Sequence, residues 1–272
     1  MVRQLACPQT SSEQYEISAR HVFSSVKTRN HAGMTMAAFF DLDNTLVRGS
    51  SLYHLACELV RKKVIPRREV IRFARQELQY VMRRSEPAGV AASATARALA
   101  LVAGRSEDAM QVVTAQFVAT KLPAMIMDDV LSEVRRFQFH GVPTWIVTAS
   151  PIELASAIAN ELGMTGAVGT VSEIHDGRYT GRLASPIAHG PGKMQLVHEN
   201  AERHGLDLGA SWAYSDSIND LPLLSCVGMP VVVNPNSQLL AIAKKNAWGV
   251  LETAKRVSPR TNLTRFQTPA AV

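Results

Sequence analysis

An apolar run that ends in two aspartates constrains this chain more strongly than any other feature. Residues 37–40 read Ala-Ala-Phe-Phe and are followed by Asp41-Leu42-Asp43-Asn44-Thr45-Leu46. Such a run predicts a buried strand, and unpaired buried carboxylates are costly unless the strand opens into a site that uses them. Because side chains alternate along a strand, we expect Asp41 and Asp43 to face one crevice at the carboxyl end of a parallel sheet. The alternative is a strand and an Asx-turn, in which the aspartates only cap the chain.

Apolar strands alternate with helices in the second half of the chain. Strands are predicted at 143–148, 211–214, 230–233 and 248–251, and a β-hairpin at 168–183 turns at Asp176-Gly177. Helices are predicted at 152–162 and 193–204, from residues 221 and 237, and from about residue 129 to a stop at Gly141. This alternation predicts an α/β fold with a mostly parallel sheet covered by helices on both faces.

A helical segment separates the first strand from the rest of this sheet. Leucines at 52, 55 and 59 recur at helical spacing, and further helices are predicted after Pro66, over 90–102 and over 108–119. We therefore predict a helical-bundle cap at 50–120, inserted into a core formed by 36–49 and 121–254. The polar segments 1–35 and 255–272 are predicted to be a disordered extension and a flexible tail.

The composition favours a cytoplasmic globular protein. No apolar stretch approaches the roughly 18–20 residues that span a bilayer, and residues 1–35 contain no apolar signal core. Cys7, Cys57 and Cys226 are widely spaced and odd in number, so they predict neither a disulfide framework nor a zinc site.

The net charge of +6 is concentrated in one segment, from Glu58 to Arg84. Three acids there, at 58, 69 and 77, oppose nine basic residues: Arg61, Lys62, Lys63, Arg67, Arg68, Arg72, Arg75, Arg83 and Arg84. The segment is either a solvated helical face or a surface for an anionic partner, such as a phosphorylated substrate or a lipid headgroup. Nucleic acid is not expected as a partner, because no aromatic residues are interleaved to stack on bases.

Polar residues that suit phosphoryl transfer follow other predicted strands. Thr148 ends one strand, Lys193 begins a helix, and Asp216 and Asp220 follow the strand at 211–214. A carboxylate can attack phosphorus and form an aspartyl phosphate, and Mg²⁺ can offset the repulsion between the two anions. Lysine and hydroxyl donors can hold the phosphate oxygens as charge spreads over them.

This order and spacing resemble the haloacid dehalogenase (HAD) superfamily, in particular the phosphoserine phosphatase-like group of subfamily IB. Motif one is similar to residues 41–45, motif two to Thr148, motif three to Lys193, and motif four to Asp216 with Asp220. The resemblance implies a Rossmann-like core, and the insertion at 50–120 is similar to a class-one cap.

The resemblance also implies a role for each residue. Asp41 would be the nucleophile and a magnesium ligand, and Asp43 would act as general acid and base while its carbonyl meets the metal. Asp216 would bind Mg²⁺, and Asp220 would hold a metal-bound water or orient the lysine. The phosphate-binding residues implied are Thr45, Thr148, Ala149, Lys193 and Asn219.

The chain departs from phosphoserine phosphatases at two places. Those enzymes carry a glutamate shortly after motif one, whereas residues 47–52 here read Val-Arg-Gly-Ser-Ser-Leu. Motif two reads Thr-Ala-Ser instead of Ser-Gly-Gly, so Ser150 is an alternative to Thr148 as the phosphate-binding hydroxyl. Arg48 is interpreted either as a contact for an anionic substrate or as a surface residue.

The sequence therefore predicts a Mg²⁺-dependent phosphomonoester hydrolase for a small phosphorylated metabolite, similar to phosphoserine or histidinol phosphate. The cap would exclude water and select the substrate. The alternative is a weakly catalytic regulatory or membrane-surface module that uses the basic cap, although such a module has no need of both Asp41 and Asp43.

Overall fold

A six-stranded parallel sheet lies at the centre of the computed structural model, which describes residues 34–68, 71 and 102–254. The strands are β1 (Ala38–Asp41), β2 (Thr144–Pro151), β3 (Gly166–Thr170), β4 (Ser172–His175), β5 (Arg178–Leu183), β6 (Trp212–Ser215), β7 (Met229–Val233) and β8 (Gly249–Leu251). The sheet order is β3-β2-β1-β6-β7-β8, and β4 and β5 form a separate antiparallel hairpin. The order reverses between β1 and β6, and open α/β sheets bind ligands at such a point, beyond the carboxyl ends of the strands.

Helices cover both faces of the sheet, which confirms the predicted α/β fold class. The described helices are α1 (Ser51–Arg61), α2 (Glu107–Met125), α3 (Asp128–Phe139), α4 (Ile152–Glu161), α5 (Pro191–His204), α6 (Leu221–Cys226) and α7 (Ser237–Lys245). Because side chains alternate along β1, Phe40 joins the apolar cluster with α3 and α4, and Phe39 joins the one with α5, α6 and α7. Phe40 stacks on Tyr214 of β6 with ring centroids 4.6 Å apart, and this contact packs the two strands at the switch point together.

The helices α1 and α2 are the described part of the predicted insertion. Serine hydroxyls cap both N-termini: Ser50 accepts from the Tyr53 amide, and Ser106 accepts from the Ala109 amide. The helix predicted over 108–119 is α2 in the structure. Its predicted end at residue 119 is wrong, because α2 continues to Met125 with Pro123 in its last turn. The predicted division between cap and core at residue 120 falls inside this helix. The predicted helices after Pro66 and over 90–102 lie almost wholly outside the described residues.

Two predicted strand boundaries are wrong near the site. Strand β2 does not end at Thr148 but runs to Pro151, with a register shift against β3 after Val147. The apolar run 168–174 is not one arm of a hairpin, since β3 joins the central sheet and only β4 pairs with β5. The chain divides at Val171, whose amide donates to the Ser185 hydroxyl, 3.1 Å away.

Thr35, the last residue of the predicted N-terminal extension, is bonded to the core. Thr35 donates its amide to the Gly205 carbonyl at 3.0 Å, and its carbonyl accepts from the Asp207 amide at 2.9 Å. These bonds fix the chain just before β1. The rest of the predicted extension, except Met34, and the predicted tail lie outside the described residues.

Candidate active site

The two aspartates of the first motif lie where β1 ends at the switch point of the sheet. Asp41 is the last residue of β1 and is buried, with 7% of its surface exposed. Directly after it the chain turns, with the Leu46 and Val47 amides both donating to the Leu42 carbonyl. Asp43 is half-buried, and its Oδ1 accepts from the Ser51 amide at the start of α1, 2.8 Å away. The second aspartate is thereby tied to the first residue of α1.

Lys193 links two buried carboxylates that are far apart in sequence. Its Nζ donates to Asp41 Oδ1 at 2.6 Å and to Asp220 Oδ2 at 2.8 Å, and all three residues are buried. The Ser215 hydroxyl donates to the same Asp220 oxygen at 2.6 Å. The structure thus brings motifs one, three and four together, and Asp220 bonds directly to the lysine.

The loop before Lys193 requires glycine. A Cβ on Gly192 would lie 2.3 Å from the Ile187 carbonyl oxygen, which no side chain tolerates. Gly190 caps α5 with a φ of 52°, in the left-handed region that favours glycine. These two positions allow the backbone to turn tightly, so that the lysine enters the sheet crevice from the first turn of α5.

Burial dominates the electrostatics of this network. Desolvation raises the pKa of Asp41 from 3.8 to about 7, since the attraction of Lys193 offsets it only in part and Asp220 and Asp216 add repulsion. Burial lowers the pKa of Lys193, but its two carboxylate partners outweigh this effect and raise it to about 12. The lysine therefore stays charged. A further cation near Asp41 would lower the pKa of Asp41 and favour its ionised form.

Thr45, one of the predicted phosphate-binding residues, bonds to motif four in the structure. Its side chain is fully buried, and its hydroxyl donates to Asp216 Oδ1 at 3.2 Å and accepts from the Asp216 amide at 3.0 Å. The structure therefore assigns this hydroxyl to holding the motif-four loop against motif one. Residue spacing gave no signal for this contact, because 171 positions separate the two residues.

The free carboxylate oxygens fit a magnesium ion. The Oδ2 atoms of Asp41 and Asp216 accept no hydrogen bond from the described residues, and desolvation raises the pKa of Asp216 as well. Within 34–68 and 102–254, no three His, Cys, Asp or Glu side chains form a metal cage by themselves. Mg²⁺ suits this donor set, since it commonly uses one or two carboxylates and completes its shell with waters and phosphate oxygens.

The two candidate hydroxyls of motif two are both buried but have different partners. The Thr148 hydroxyl accepts from the Ser150 amide at 3.1 Å, so its proton remains available for another acceptor. The Ser150 hydroxyl lies 3.4 Å from that of Ser51 in α1. Ala149 between them is exposed at the mouth of the crevice. These contacts favour Thr148 for phosphate and place Ser150 beside the start of α1.

The remaining predicted residues surround this centre. Asn219 is exposed, and its amide donates to the Ser217 hydroxyl at 3.2 Å. The Arg48 amide donates to the Met125 carbonyl at the end of α2, and its buried Nε has no hydrogen-bond partner among the described residues. Two site residues could not be found from the sequence: Ser51, whose amide bonds to Asp43, and Ser215, whose hydroxyl bonds to Asp220. Their only signal was their place beside a helix start and a strand end.

The described residues of the basic segment are exposed, as both a solvated face and a surface for an anionic partner require. Arg61, Lys62, Lys63, Arg67 and Arg68 are all exposed, and Arg61 pairs with Glu58 in the same helix. The other four basic residues of that segment lie outside the described residues. None of the helices in the described ranges has the length and apolar character needed to cross a membrane.

Comparisons with known proteins agree with this geometry. A family model described as haloacid dehalogenase-like hydrolase matches residues 38–225. The phosphoserine phosphatase SerB1 of Mycobacterium tuberculosis is 38% identical over 217 residues, covering 80% of this chain and 70% of that protein. Histidinol-phosphatase of Neisseria meningitidis is 30% identical over 222 residues, covering 80% of this chain and 99% of that protein.

A solved structure shares the fold as well. The crystal structure of a protein of unknown function from Bordetella pertussis aligns with a TM-score of 0.71 at 30% identity, covering 79% of this chain and 97% of that one. The matched family region contains all four motifs and most of the chain. The chain therefore belongs to the haloacid dehalogenase-like hydrolase family.

Proposed function

We propose that this protein is a Mg²⁺-dependent phosphatase that cleaves a small phosphate monoester through a phosphorylated aspartate, Asp41. The observation that carries the proposal is the buried Lys193 ammonium, which holds Asp41 by one oxygen and leaves Oδ2 without a hydrogen bond from the described residues. The lysine fixes the orientation of the carboxylate, so that one of its oxygens can bind the metal while the other attacks phosphorus. Membership of a hydrolase family supports the same chemistry.

In the first step, a carboxylate oxygen of Asp41 bonds to phosphorus and the bond from phosphorus to the alcohol oxygen breaks. Asp43 gives its proton to the departing alkoxide, so the alcohol leaves neutral. In the second step, Asp43 takes a proton from water as the water oxygen bonds to phosphorus. The bond between phosphorus and Asp41 then breaks and phosphate is released. Asp43 suits both steps, because it is half-buried and anchored by Ser51.

A magnesium ion would be held by Asp41, by the Asp43 carbonyl and by Asp216. It would supply positive charge that offsets the repulsion between carboxylates and phosphate. Asp220 would act mainly on Lys193, since its Oδ2 already accepts from that lysine and from Ser215. The phosphate oxygens would meet Thr148, the Ala149 amide, Lys193 and Asn219.

The substrate would be a small phosphorylated metabolite similar to phosphoserine or histidinol phosphate. Both suggestions follow from the motif resemblance and are supported by the names of two relatives, each at least 30% identical. The absence of an acid in 47–52 removes the glutamate that phosphoserine phosphatases use for the substrate amine. The alcohol part of the substrate must therefore be recognised by other residues.

The test is hydrolysis of para-nitrophenyl phosphate by the purified chain with and without magnesium. The proposal expects turnover that requires the metal and is lost in Asp41→Asn, because the amide cannot attack phosphorus. The matched control is Asp176→Asn at the exposed turn between β4 and β5, which should retain full activity. Hydrolysis by Asp41→Asn at the wild-type rate, or no hydrolysis by the wild type, would overturn the proposal.

A further inference from the structure

An apolar cavity of about 380 Å³ lies between the cap and the core. Helices α1 and α2 form one side of it, and the start of α4 with the β4–β5 hairpin forms the other. Its walls include the buried side chains of Leu55, Leu59, Met110 and Leu154. At about 30 Å³ per water molecule, the cavity volume equals roughly a dozen waters, enough for an apolar group of the size of a large side chain.

This cavity begins beside the residues proposed to do the chemistry. Ser50 and Pro151 line it, and the residues next to them in sequence are Ser51 and Ser150. Ser51 donates its amide to Asp43, and its hydroxyl lies 3.4 Å from that of Ser150. A phosphate ester bound at Asp41 would therefore have its alcohol part next to the mouth of the cavity.

Glu153 is the one charged side chain among the described residues that line the cavity. It is half-buried in the first turn of α4, and its Oε1 accepts from the Tyr179 hydroxyl at 3.2 Å. Its Oε2 accepts no hydrogen bond from the described residues. A partly desolvated carboxylate with a free oxygen is complementary to a cationic group.

We propose that this cavity binds the alcohol part of the phosphate ester and that Glu153 selects alcohols carrying an ammonium group beside an apolar body. This inference rests on the proposed phosphatase function and specifies its substrate class. Phosphoserine fits poorly, because it has no apolar body and adds a carboxylate that Glu153 would repel. The site uses Glu153 of α4 where phosphoserine phosphatases use an acid after motif one.

A purely structural role for Glu153 is the rival explanation. Its bond to Tyr179 joins α4 to the hairpin, and the loss of that bond alone could disturb the cavity. The variant Tyr179→Phe removes the same bond but keeps the carboxylate. A specificity role and a structural role therefore give different results in these two variants.

The experiment compares two esters that differ only in the ammonium group, phenylalaninol phosphate and 3-phenylpropyl phosphate. We expect the wild type to prefer the first in kcat/KM, and Glu153→Gln to lower kcat/KM for it by about tenfold. The value for 3-phenylpropyl phosphate and for para-nitrophenyl phosphate should change by less than about twofold. Tyr179→Phe should retain the preference. Equal losses on both esters, or loss of the preference in Tyr179→Phe, would overturn the assignment.

A second pair of variants tests the cavity itself. Ala56→Trp places a large side chain among the lining residues, whereas Ala115→Trp adds one to the exposed face of the neighbouring helix. The first should raise KM for phenylalaninol phosphate and for para-nitrophenyl phosphate, since both have an aromatic alcohol part, and leave hydrolysis of methyl phosphate nearly unchanged. The second should change none of the three. A wild type active on para-nitrophenyl phosphate but without a preference between the two esters would overturn the role of Glu153 alone, and a KM for phenylalaninol phosphate unchanged in Ala56→Trp would overturn the cavity assignment alone. Inactivity on every ester would overturn the proposed function.

Discussion

The substitution Asp41→Asn is expected to make the metal-free protein more stable although it abolishes activity. Burial raises the pKa of Asp41 from 3.8 to about 7 despite the attraction of Lys193. The folded state therefore binds the Asp41 proton more tightly than the unfolded state does. As pH rises through this interval, ionisation of the buried carboxyl costs stability, and above about pH 7 the cost is complete.

The size of the effect follows from the shift. A difference of roughly 3 pKa units corresponds to about 4 kcal/mol at most, since each unit is about 1.4 kcal/mol. Asparagine has a similar shape and carries no charge, so Asp41→Asn should gain between about 1 and 4 kcal/mol at about pH 8. Lys193 keeps Asp220 as its partner in the variant, which prevents an unpaired buried ammonium.

Urea unfolding followed by tryptophan fluorescence, in EDTA at about pH 8 and about pH 4.5, measures this difference. The gain should be large at the higher pH and shrink toward zero as the pH approaches 3.8, where both states become protonated. Magnesium should stabilise the wild type and narrow the gap, because only the wild type retains the Asp41 carboxylate. A variant less stable than the wild type at about pH 8, or a gain independent of pH, would refute the electrostatic reasoning.

Two further substitutions probe the same network. Lys193→Met leaves two buried carboxylates without their cation, so we expect a loss of about 3–5 kcal/mol in urea unfolding and at least about a hundredfold in kcat on para-nitrophenyl phosphate. The control Lys245→Met, at an exposed lysine, should change neither the stability nor kcat. Thr45→Val removes two hydrogen bonds to Asp216, so it should cost about 1–3 kcal/mol and raise the magnesium concentration needed for half-maximal activity. Thr45→Ser keeps the hydroxyl, so it should have nearly the stability and the magnesium requirement of the wild type. An unchanged magnesium requirement in Thr45→Val would contradict the role of Thr45 in positioning Asp216.

The parallel sheet could be predicted because each central strand is a near-continuous apolar run. β1 and β6 are buried along their whole length; β1 ends in Asp41 and β6 is followed directly by Asp216, so the sequence indicates both the strands and the site. The path after β2 could not be predicted in the same way. The run 168–174 is divided by a hydrogen bond from Val171 to Ser185, fourteen residues away, and no local pattern shows this contact.

The candidate site divides along similar lines. Asp41, Lys193 and Asp216 stand at strand ends or a helix start, where polar residues in apolar surroundings are conspicuous. The bond of Thr45 to Asp216, by contrast, depends on how two loops pack. Glu153 was missed as well, because an acid in the first turn of a helix is common and stabilises the helix dipole without any function. Only its place on the wall of an apolar cavity distinguishes it.

The charge balance of the site explains why metal and substrate should bind together. The site has four carboxyl groups, those of Asp41, Asp43, Asp216 and Asp220, and one lysine, and Lys193 is already shared between two of them. A phosphate dianion entering this crevice would meet a net negative charge in a partly desolvated setting, where repulsion is weakly screened. A divalent cation at Asp41 and Asp216 would offset that repulsion and favour the ionised form of Asp41 that attacks. Phosphate binding to the metal-free protein should therefore be weak, although the hydroxyl and amide donors are already in place.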